Sequence, residues 1–105
     1  MNQVVIFGSV KEMPLVKETS NGVSYCSLII DCPKLYANSD GVIESETYCV
    51  TVWRNMIDEI MKYVEIGRPV AVRGRLHPNN FNKDDGTVIY RTEIIAEKVS
   101  FLTQS

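Results

Sequence analysis

Aromatic and basic residues are interleaved along the sequence in a pattern suited to stacking on flat ligands. Trp53 is followed by Arg54, and Tyr90 is followed by Arg91. Phe81 lies in the polar run RGRLHPNNFNKDDG, which opens with two arginines. Unpaired nucleic-acid bases stack on aromatic rings for about 1–3 kcal/mol each, while cations follow the phosphates. The pattern therefore indicates a surface for single-stranded nucleic acid.

The candidate contact residues are three aromatic side chains, five cations near them in the sequence, and one threonine on the strand face of the tryptophan. They are Trp53, Phe81, Tyr36, Arg54, Arg73, Arg75, Lys83, Arg91 and Thr51. Ordinary structural roles remain open beside the functional one. Trp53 can cover a following helix, Phe81 can fold under its own loop, and Arg73 can be a solvated edge charge.

The sequence carries few of the patterns that accompany catalysis or metal binding. Its single histidine, His77, stands beside a proline, and no nucleophile, metalloprotease or phosphate-loop motif occurs. Its three cysteines, Cys26, Cys32 and Cys49, form no Cys-x-x-Cys pair, which argues against a zinc ribbon and a disulfide framework. We therefore expect no enzymatic activity, no metal and no cofactor.

Length and composition are those of one modest globular domain spanning residues 1–105, with 45% hydrophobic and 23% charged residues. The formal charge of −2 and the pI near 5.3 mean that a nucleic-acid surface must be a local basic stripe. No apolar run approaches the roughly 20 residues of a membrane helix, and the start MNQVVIFG is unlike a signal peptide. We expect a cytoplasmic protein with no membrane partner.

Runs of alternating or β-branched residues predict five strands. They are Asn2–Val10, Val23–Asp31, Thr47–Trp53, Val70–Leu76 and Val88–Ala96. A bend or bulge is expected at Gly8. In the third strand, alternation places Val50 and Val52 in the core and Thr51 and Trp53 on the opposite face. The tryptophan is thereby predicted on an outer surface.

One helix is predicted after the third strand, capped by Asn55 and ended by Gly67 and Pro69. Its apolar residues recur at helical spacing. Two polar segments separate the other elements: a long mobile loop over Pro33–Glu46 and a hairpin loop over His77–Thr87. The predicted order is strand, strand, strand, helix, strand, strand.

The motifs NQVVIFGSV, VTVWRN, EIGRPVAVRGRL and DDGTVIYRTEIIAEKVSFL, in this order, resemble the bacterial single-stranded DNA-binding protein family over essentially the whole chain. The resemblance implies an all-β OB-fold, a five-stranded Greek-key barrel with one helix between strands 3 and 4. It implies sequence-independent binding of single-stranded DNA in replication, recombination and repair. It places Trp53 and Phe81 at base-stacking positions of the family. It also implies a homotetramer, with a dimer as second choice.

Two departures from the family pattern imply weaker DNA binding. Thr47 stands where the family often has an aromatic residue, and the hairpin before Phe81 reads HPNN where the family is often strongly basic. The linker and acidic tip with which the family recruits replication and repair proteins do not follow in the printed sequence, which ends at Ser105. A second interpretation therefore stays open: a short OB-fold protein of the primosomal replication-restart type that mainly bridges other proteins.

Overall fold

The computed structural model describes residues 1–102 as eight strands and one helix. The elements are β1 Val4–Glu12, β2 Val16–Glu18, β3 Ser24–Pro33, β4 Ser45–Trp53, α1 Asn55–Tyr63, β5 Pro69–Pro78, β6 Phe81–Asn82, β7 Val88–Ile89 and β8 Thr92–Phe101. The predicted last strand is split, because the chain leaves strand geometry at Tyr90 and Arg91 before β8 begins.

Five of the strands close into a barrel. β1 pairs antiparallel with both β3 and β5, β5 pairs antiparallel with β8, and β3 pairs antiparallel with β4. A parallel contact between β4 and β8 closes the ring. β2 extends the sheet beside β3, whereas β6 and β7 form a separate hairpin. The helix joins the third and fourth barrel strands, so the predicted barrel and helix position are confirmed.

The inward faces of the barrel strands form the core. Leu28 of β3 lies opposite Val50 of β4, and Cys26 lies opposite Val52. All four side chains are fully buried, as strand alternation predicted for Val50 and Val52. Burial of apolar surface, worth about 25 cal/mol per Å², is the main contribution that holds β3 against β4. The same pairing decides which side chains lie next to each other on the outer faces of the two strands.

Gly8 permits a close approach of two barrel strands. A Cβ atom at this position would overlap the carbonyl oxygen of Asp31 in β3, so any larger residue would push β1 away from β3. The predicted bulge does not lie at Gly8. The register of β1 against β3 shifts instead between Val10 and Glu12.

The helix begins without the predicted side-chain cap. Asn55 is its first residue, and Arg54 occupies the N-cap position with φ 46° and no capping side-chain hydrogen bond, so the prediction that Asn55 caps the helix is wrong. Ile57 and Ile60 are the buried positions and anchor α1 over the end of the barrel. The helix ends at Tyr63, with Val64 at the C-cap, before the predicted stop at Gly67, which has φ 86° in the turn that leads to β5.

Candidate nucleic-acid interface

The outer sides of β3, β4, β8 and β5 form a continuous surface. Residues directly opposite on neighbouring strands share a face, and the ladder places Ser27 opposite Thr51, Thr51 opposite Ile95, and Ile95 opposite Arg75. We name this outer surface the ladder face. It faces away from the core formed by Val50 and Val52.

Trp53 lies on the ladder face at the end of β4 and is partly buried. Its ring is 5.2 Å, centroid to centroid, from the ring of Tyr25, with 36° between the two planes. Tyr25 is the residue opposite Trp53 on β3. The two rings together offer a wider aromatic surface than either alone. Tyr25 and the buried Cys26 next to it point to opposite sides of β3, but strand alternation gives no signal that Tyr25 meets Trp53.

Arg54 follows Trp53 at a sharp change of chain direction. Its φ of 46° and ψ of −109° lie in a region that glycine favours and other residues occupy only at a cost. Its backbone N–H donates to the carbonyl oxygen of Ser24 at 3.0 Å, and its carbonyl accepts from Ile57 N–H at 3.0 Å. These bonds fix the turn of the main chain at Arg54, whose side chain is exposed.

Phe81 lies on the β6–β7 hairpin, with 51% of its surface exposed. The guanidinium carbon of Arg91 is 5.8 Å from the centre of its ring, within the range of a cation–π contact. The Arg91 backbone N–H donates to Asn80 Oδ1 at 3.3 Å, and the Asn79 N–H donates to the Arg91 carbonyl oxygen at 2.9 Å. An exposed ring and a cation are thus held together at the base of the hairpin.

Lys83 lies at the tip of the same hairpin. Its N–H donates to the Thr87 carbonyl oxygen at 2.8 Å, and Gly86 N–H donates back to the Lys83 carbonyl oxygen at 3.1 Å. The Thr87 N–H donates to Asp85 Oδ1 at 2.9 Å, and this backbone hydrogen bond lowers the pKa of the Asp85 carboxyl below its ordinary value. Because Asp85 stays ionised, it offsets part of the positive charge that Lys83 brings.

Arg73 and Arg75 extend outward from β5 and are exposed. The β5–β8 ladder places Arg73 opposite Lys98, a cation that sequence reasoning did not include. The β1–β5 ladder places Arg73 opposite Val5. Since Arg75 lies opposite Ile95, a basic stripe of Arg73, Arg75 and Lys98 continues from the ladder face toward β1.

Thr51 lies on the ladder face but is only 8% exposed. Its hydroxyl donates to Glu93 Oε2 at 3.2 Å. The Glu93 carboxylate therefore lies at the surface where the Thr51 hydroxyl was expected. The sequence prediction did not include Glu93. Thr51 is better described as a support for this carboxylate.

Tyr36 is not brought near Trp53. It is 83% exposed on the segment 34–44, beyond the Pro33–Ser45 end of the β3–β4 ladder, whereas Trp53 lies at the other end. At about 3.3 Å per strand residue, the eight steps from Ser45 to Trp53 span roughly 26 Å.

The segment 34–44, predicted as a mobile loop, is organised by its own hydrogen bonds. Lys34 N–H donates to the Glu44 carbonyl oxygen at 2.8 Å, and the Asn38 amide donates to Glu44 Oε1 at 2.9 Å. Hydrogen bonds from Asn38 and then Lys34 lower the pKa of the Glu44 carboxyl. In this segment, which we name the arm, the Lys34 charge is already paired with Glu44.

Thr47 stands where the family often has an aromatic residue, and it belongs to a cluster of polar side chains. Its hydroxyl donates to Asp31 Oδ1 at 2.7 Å and accepts from Lys11 Nζ at 3.3 Å. Lys11 also forms an ion pair with Asp31 at 3.8 Å. This end of the ladder face therefore offers hydrogen-bonding groups and no stacking surface.

The cysteines are free thiols. Burial raises the pKa of the Cys26 thiol, and burial together with the charges of Glu46 and Asp31 raises the pKa of Cys32. Within residues 1–102, no cluster of three or more His, Cys, Asp and Glu side chains is arranged to hold a metal ion. No helix in this part of the chain is long and apolar enough to cross a membrane.

A closed five-stranded barrel with a helix between its third and fourth strands is the OB-fold. The model of the family described as "Single-strand binding protein family" matches residues 1–102, and the chain belongs to this family. This membership supports the prediction that the chain is not an enzyme.

Named relatives and a solved structure agree with the family assignment. The chain is 31% identical over 102 residues to a single-stranded DNA-binding protein of Bacillus cereus, covering 97% of this chain and 60% of the relative. A protein of the same name from Oceanobacillus iheyensis is also 31% identical, with 97% and 63% covered. The chain thus spans about three fifths of the length of these curated relatives. The structure titled "Plasmodium falciparum SSB complex with ssDNA" shares the fold, with TM-score 0.72, 24% identity, and 98% and 96% of the two chains covered.

Proposed function

We propose that this chain binds single-stranded DNA without requiring a particular sequence, in support of DNA replication, recombination and repair. The observation that carries the proposal is the Tyr25–Trp53 pair on the ladder face, with ring centroids 5.2 Å apart. An aromatic surface of this kind stacks on unpaired bases, which a duplex keeps inside its helix. Membership in the Single-strand binding protein family supports the same function.

The proposed path of the strand joins two aromatic positions through cations. Trp53 and Phe81 stack on bases. Arg54 follows Trp53 in the chain with an exposed side chain, Arg91 lies beside the Phe81 ring, and Lys83 lies on the same hairpin as Phe81. The stripe of Arg73, Arg75 and Lys98 contacts phosphates farther along. Because the whole chain carries a formal charge of −2, these local cations and the stacking contacts supply the affinity rather than bulk charge. Tyr36 lies at the far end of β3 and β4, so it would contact the DNA only if the DNA strand crossed the full width of the ladder face.

The direct test is binding of a fluorescently labelled oligo-dT and of a duplex of equal length, measured by anisotropy. The wild type should bind the oligo-dT and not the duplex. Tyr63→Ala, which removes an exposed ring of α1 outside the ladder face, is the matched control and should bind as the wild type does. Equal binding of duplex and single strand would contradict the proposal.

We also propose that the chain assembles as a homo-oligomer through β1, as a tetramer or, as second choice, a dimer. Val5 and Phe7 are 69% and 60% exposed on the outer side of this strand. Neighbouring β5 presents Ala71 opposite Phe7, so the apolar surface continues across two strands. Apolar side chains exposed side by side are typical of a surface that another chain covers. We place the assembly in the bacterial cytoplasm.

A second candidate function is a bridge between other proteins, as in replication-restart proteins. The observation that favours it is the arm 34–44, which exposes Leu35, Tyr36, Val42 and Ile43. The one lysine of this arm is paired with Glu44, so the arm offers apolar contact area and no free cation for phosphates. If the chain acts as such a bridge, deletion of the arm tip should abolish its binding to other proteins while leaving its affinity for oligo-dT unchanged.

A further inference from the structure

His77, the only histidine of the chain, is exposed on the ladder face near the end of β5. The β5–β8 ladder places it opposite Glu93, and residues directly opposite on neighbouring strands share a face. Glu93 Oε2 accepts a hydrogen bond from the Thr51 hydroxyl at 3.2 Å, and Thr51 belongs to the ladder face. The imidazole is therefore on the side of the sheet along which the DNA strand is proposed to run.

His77 lies between the ladder face and the hairpin that carries the second stacking ring. The next residue, Pro78, ends β5, and β6 begins at Phe81. The Asn79 N–H donates to the Arg91 carbonyl oxygen at 2.9 Å, which closes the base of the hairpin directly after His77. A DNA strand that runs from the ladder face to Phe81 therefore passes the imidazole.

Groups of both signs surround His77. On the β1 side, the Leu76 N–H donates to Asn2 Oδ1 at 2.6 Å, which brings the start of the chain beside this end of β5. The groups that carry or can carry a charge come from β5, β8, β4, the hairpin base and the chain start. They are Arg75, Glu93, Cys49, Arg91 and the amino group of Met1.

The Glu93 carboxylate is not balanced by a cation. It lies directly opposite His77, and the ion pairs within residues 1–102 involve other carboxylates, Asp31 and Glu44. A negative charge on the ladder face repels the phosphates of a DNA strand. A positive charge on the neighbouring imidazole offsets this repulsion, so the charge of His77 matters to DNA binding.

Histidine is the side chain whose charge changes between about pH 5 and pH 8. When it is protonated, both ring nitrogens donate hydrogen bonds and either can reach a phosphate oxygen. The arginines and lysines of the proposed path keep their charge throughout this range, and carboxylates of ordinary acidity stay ionised. His77 is thus the member of the path whose contact with a phosphate depends on the proton concentration.

We propose that His77 is a phosphate contact of the ladder face that operates when its imidazole is protonated. The inference rests on the proposed binding of single-stranded DNA and deepens it by making the affinity depend on pH. Because the bound phosphate favours the protonated imidazole, binding is accompanied by proton uptake, and the affinity rises as the pH falls from about 8 to about 5.5.

The test measures oligo-dT binding by anisotropy at about pH 5.5 and about pH 8, the two sides of the histidine range, at fixed salt. Thymine is used because it neither gains nor loses a proton between these values. The wild type should bind about two- to fivefold more tightly at the lower pH, the contribution of one exposed charge contact. The slope of log K against log salt should also be steeper there by about 0.7, the value for one more phosphate contact on a single strand.

Two substitutions of His77 separate its charge from its size. His77→Gln is neutral at both pH values and should bind with the affinity that the wild type has at the higher pH. His77→Arg is charged at both values and should bind with the affinity that the wild type has at the lower pH. Neither variant should show the pH difference. Both keep the Met1 amino group and Cys49, so they also serve as controls for other groups that titrate near this site.

Three results would overturn the inference. The first is a wild-type affinity that is the same at both pH values. The second is a pH difference that persists in His77→Gln, which would assign it to another group. The third is His77→Arg binding no more tightly than His77→Gln. Melting curves at both pH values establish that each protein is folded. Failure of the folded wild type to bind oligo-dT at either pH would instead refute the proposed function, and with it this inference.

Discussion

Tyr25 and Trp53 face each other across the β3–β4 ladder with ring centroids 5.2 Å apart and an angle of 36° between their planes. Cross-strand aromatic pairs contribute about 0.5–1.5 kcal/mol beyond simple burial. The pair therefore restrains the indole ring before any ligand arrives. A ring held in its binding orientation loses less side-chain entropy when a base stacks on it.

Replacing Tyr25 tests this restraint. Tyr25→Ala should weaken oligo-dT binding by about 1 kcal/mol, roughly fivefold, because Trp53 loses its aromatic support. Tyr25→Phe keeps the ring and should bind within a factor of about two of the wild type. Both affinities are measured by anisotropy. If Tyr25→Phe were as weak as Tyr25→Ala, the hydroxyl rather than the ring pair would be responsible.

Arg54 provides a test of backbone strain that is separate from its charge. A non-glycine residue in such a conformation costs on the order of 1–3 kcal/mol, so Arg54→Gly should raise the free energy of unfolding by about 1 kcal/mol relative to Arg54→Ala. Both variants lack the guanidinium and should lose oligo-dT affinity equally. Urea unfolding gives the stabilities. Equal stability of the two variants would show that φ 46° imposes no strain.

The Phe81 ring should contribute to oligo-dT binding and not to the stability of the fold. Phe81→Ala removes a ring that is half exposed and outside the core, so oligo-dT affinity should fall by about 1–3 kcal/mol at an unchanged melting temperature. Tyr90→Ala, at an exposed aromatic residue next to Arg91, is the control and should cost less affinity. A large drop in melting temperature for Phe81→Ala would indicate a structural role.

Phe7 tests the proposed assembly through β1. Phe7→Glu places a charge on the exposed apolar side of β1 and should convert the oligomer to a species of the 11.9 kDa chain mass. Val88→Glu makes a similar change at an exposed valine of the separate β6–β7 hairpin and should leave the assembly intact. Light scattering measures both. A wild type that is already monomeric at micromolar concentration would refute the assembly.

The core and the sidedness of β4 were predictable because strand side chains alternate with period two. Val50 and Val52 are fully buried and Trp53 lies on the opposite face, as the pattern indicated. Distributed family motifs supplied the barrel topology, which alternation alone does not contain. The same alternation predicted Thr51 as an exposed contact residue. Its hydroxyl instead donates to Glu93, which comes from a strand distant in sequence.

The features that the sequence did not reveal depend on pairing between strands. Tyr25 meets Trp53, and Lys98 meets Arg73, only through ladder registers. The arm 34–44 joins the paired ends of β3 and β4, and within it Asn38 Oδ1 accepts hydrogen bonds from the Asp40 and Val42 backbone N–H groups. A local pattern gives no account of such contacts. Asn55 was predicted as the helix cap from residue type, but the chain turns at Arg54 instead.

The most direct test of the account is the emission of Trp53, the single tryptophan of the chain. Addition of oligo-dT should quench this emission in a saturable manner, and duplex DNA of equal length should not. Trp53→Ala should lose about 1–3 kcal/mol of oligo-dT affinity and about 1 kcal/mol of stability with the Tyr25 contact, whereas the neighbouring Val52→Ala should lose about 2 kcal/mol of stability through its cavity and little affinity. An emission that stays unchanged at saturating oligo-dT would contradict the claim that bases stack on Trp53.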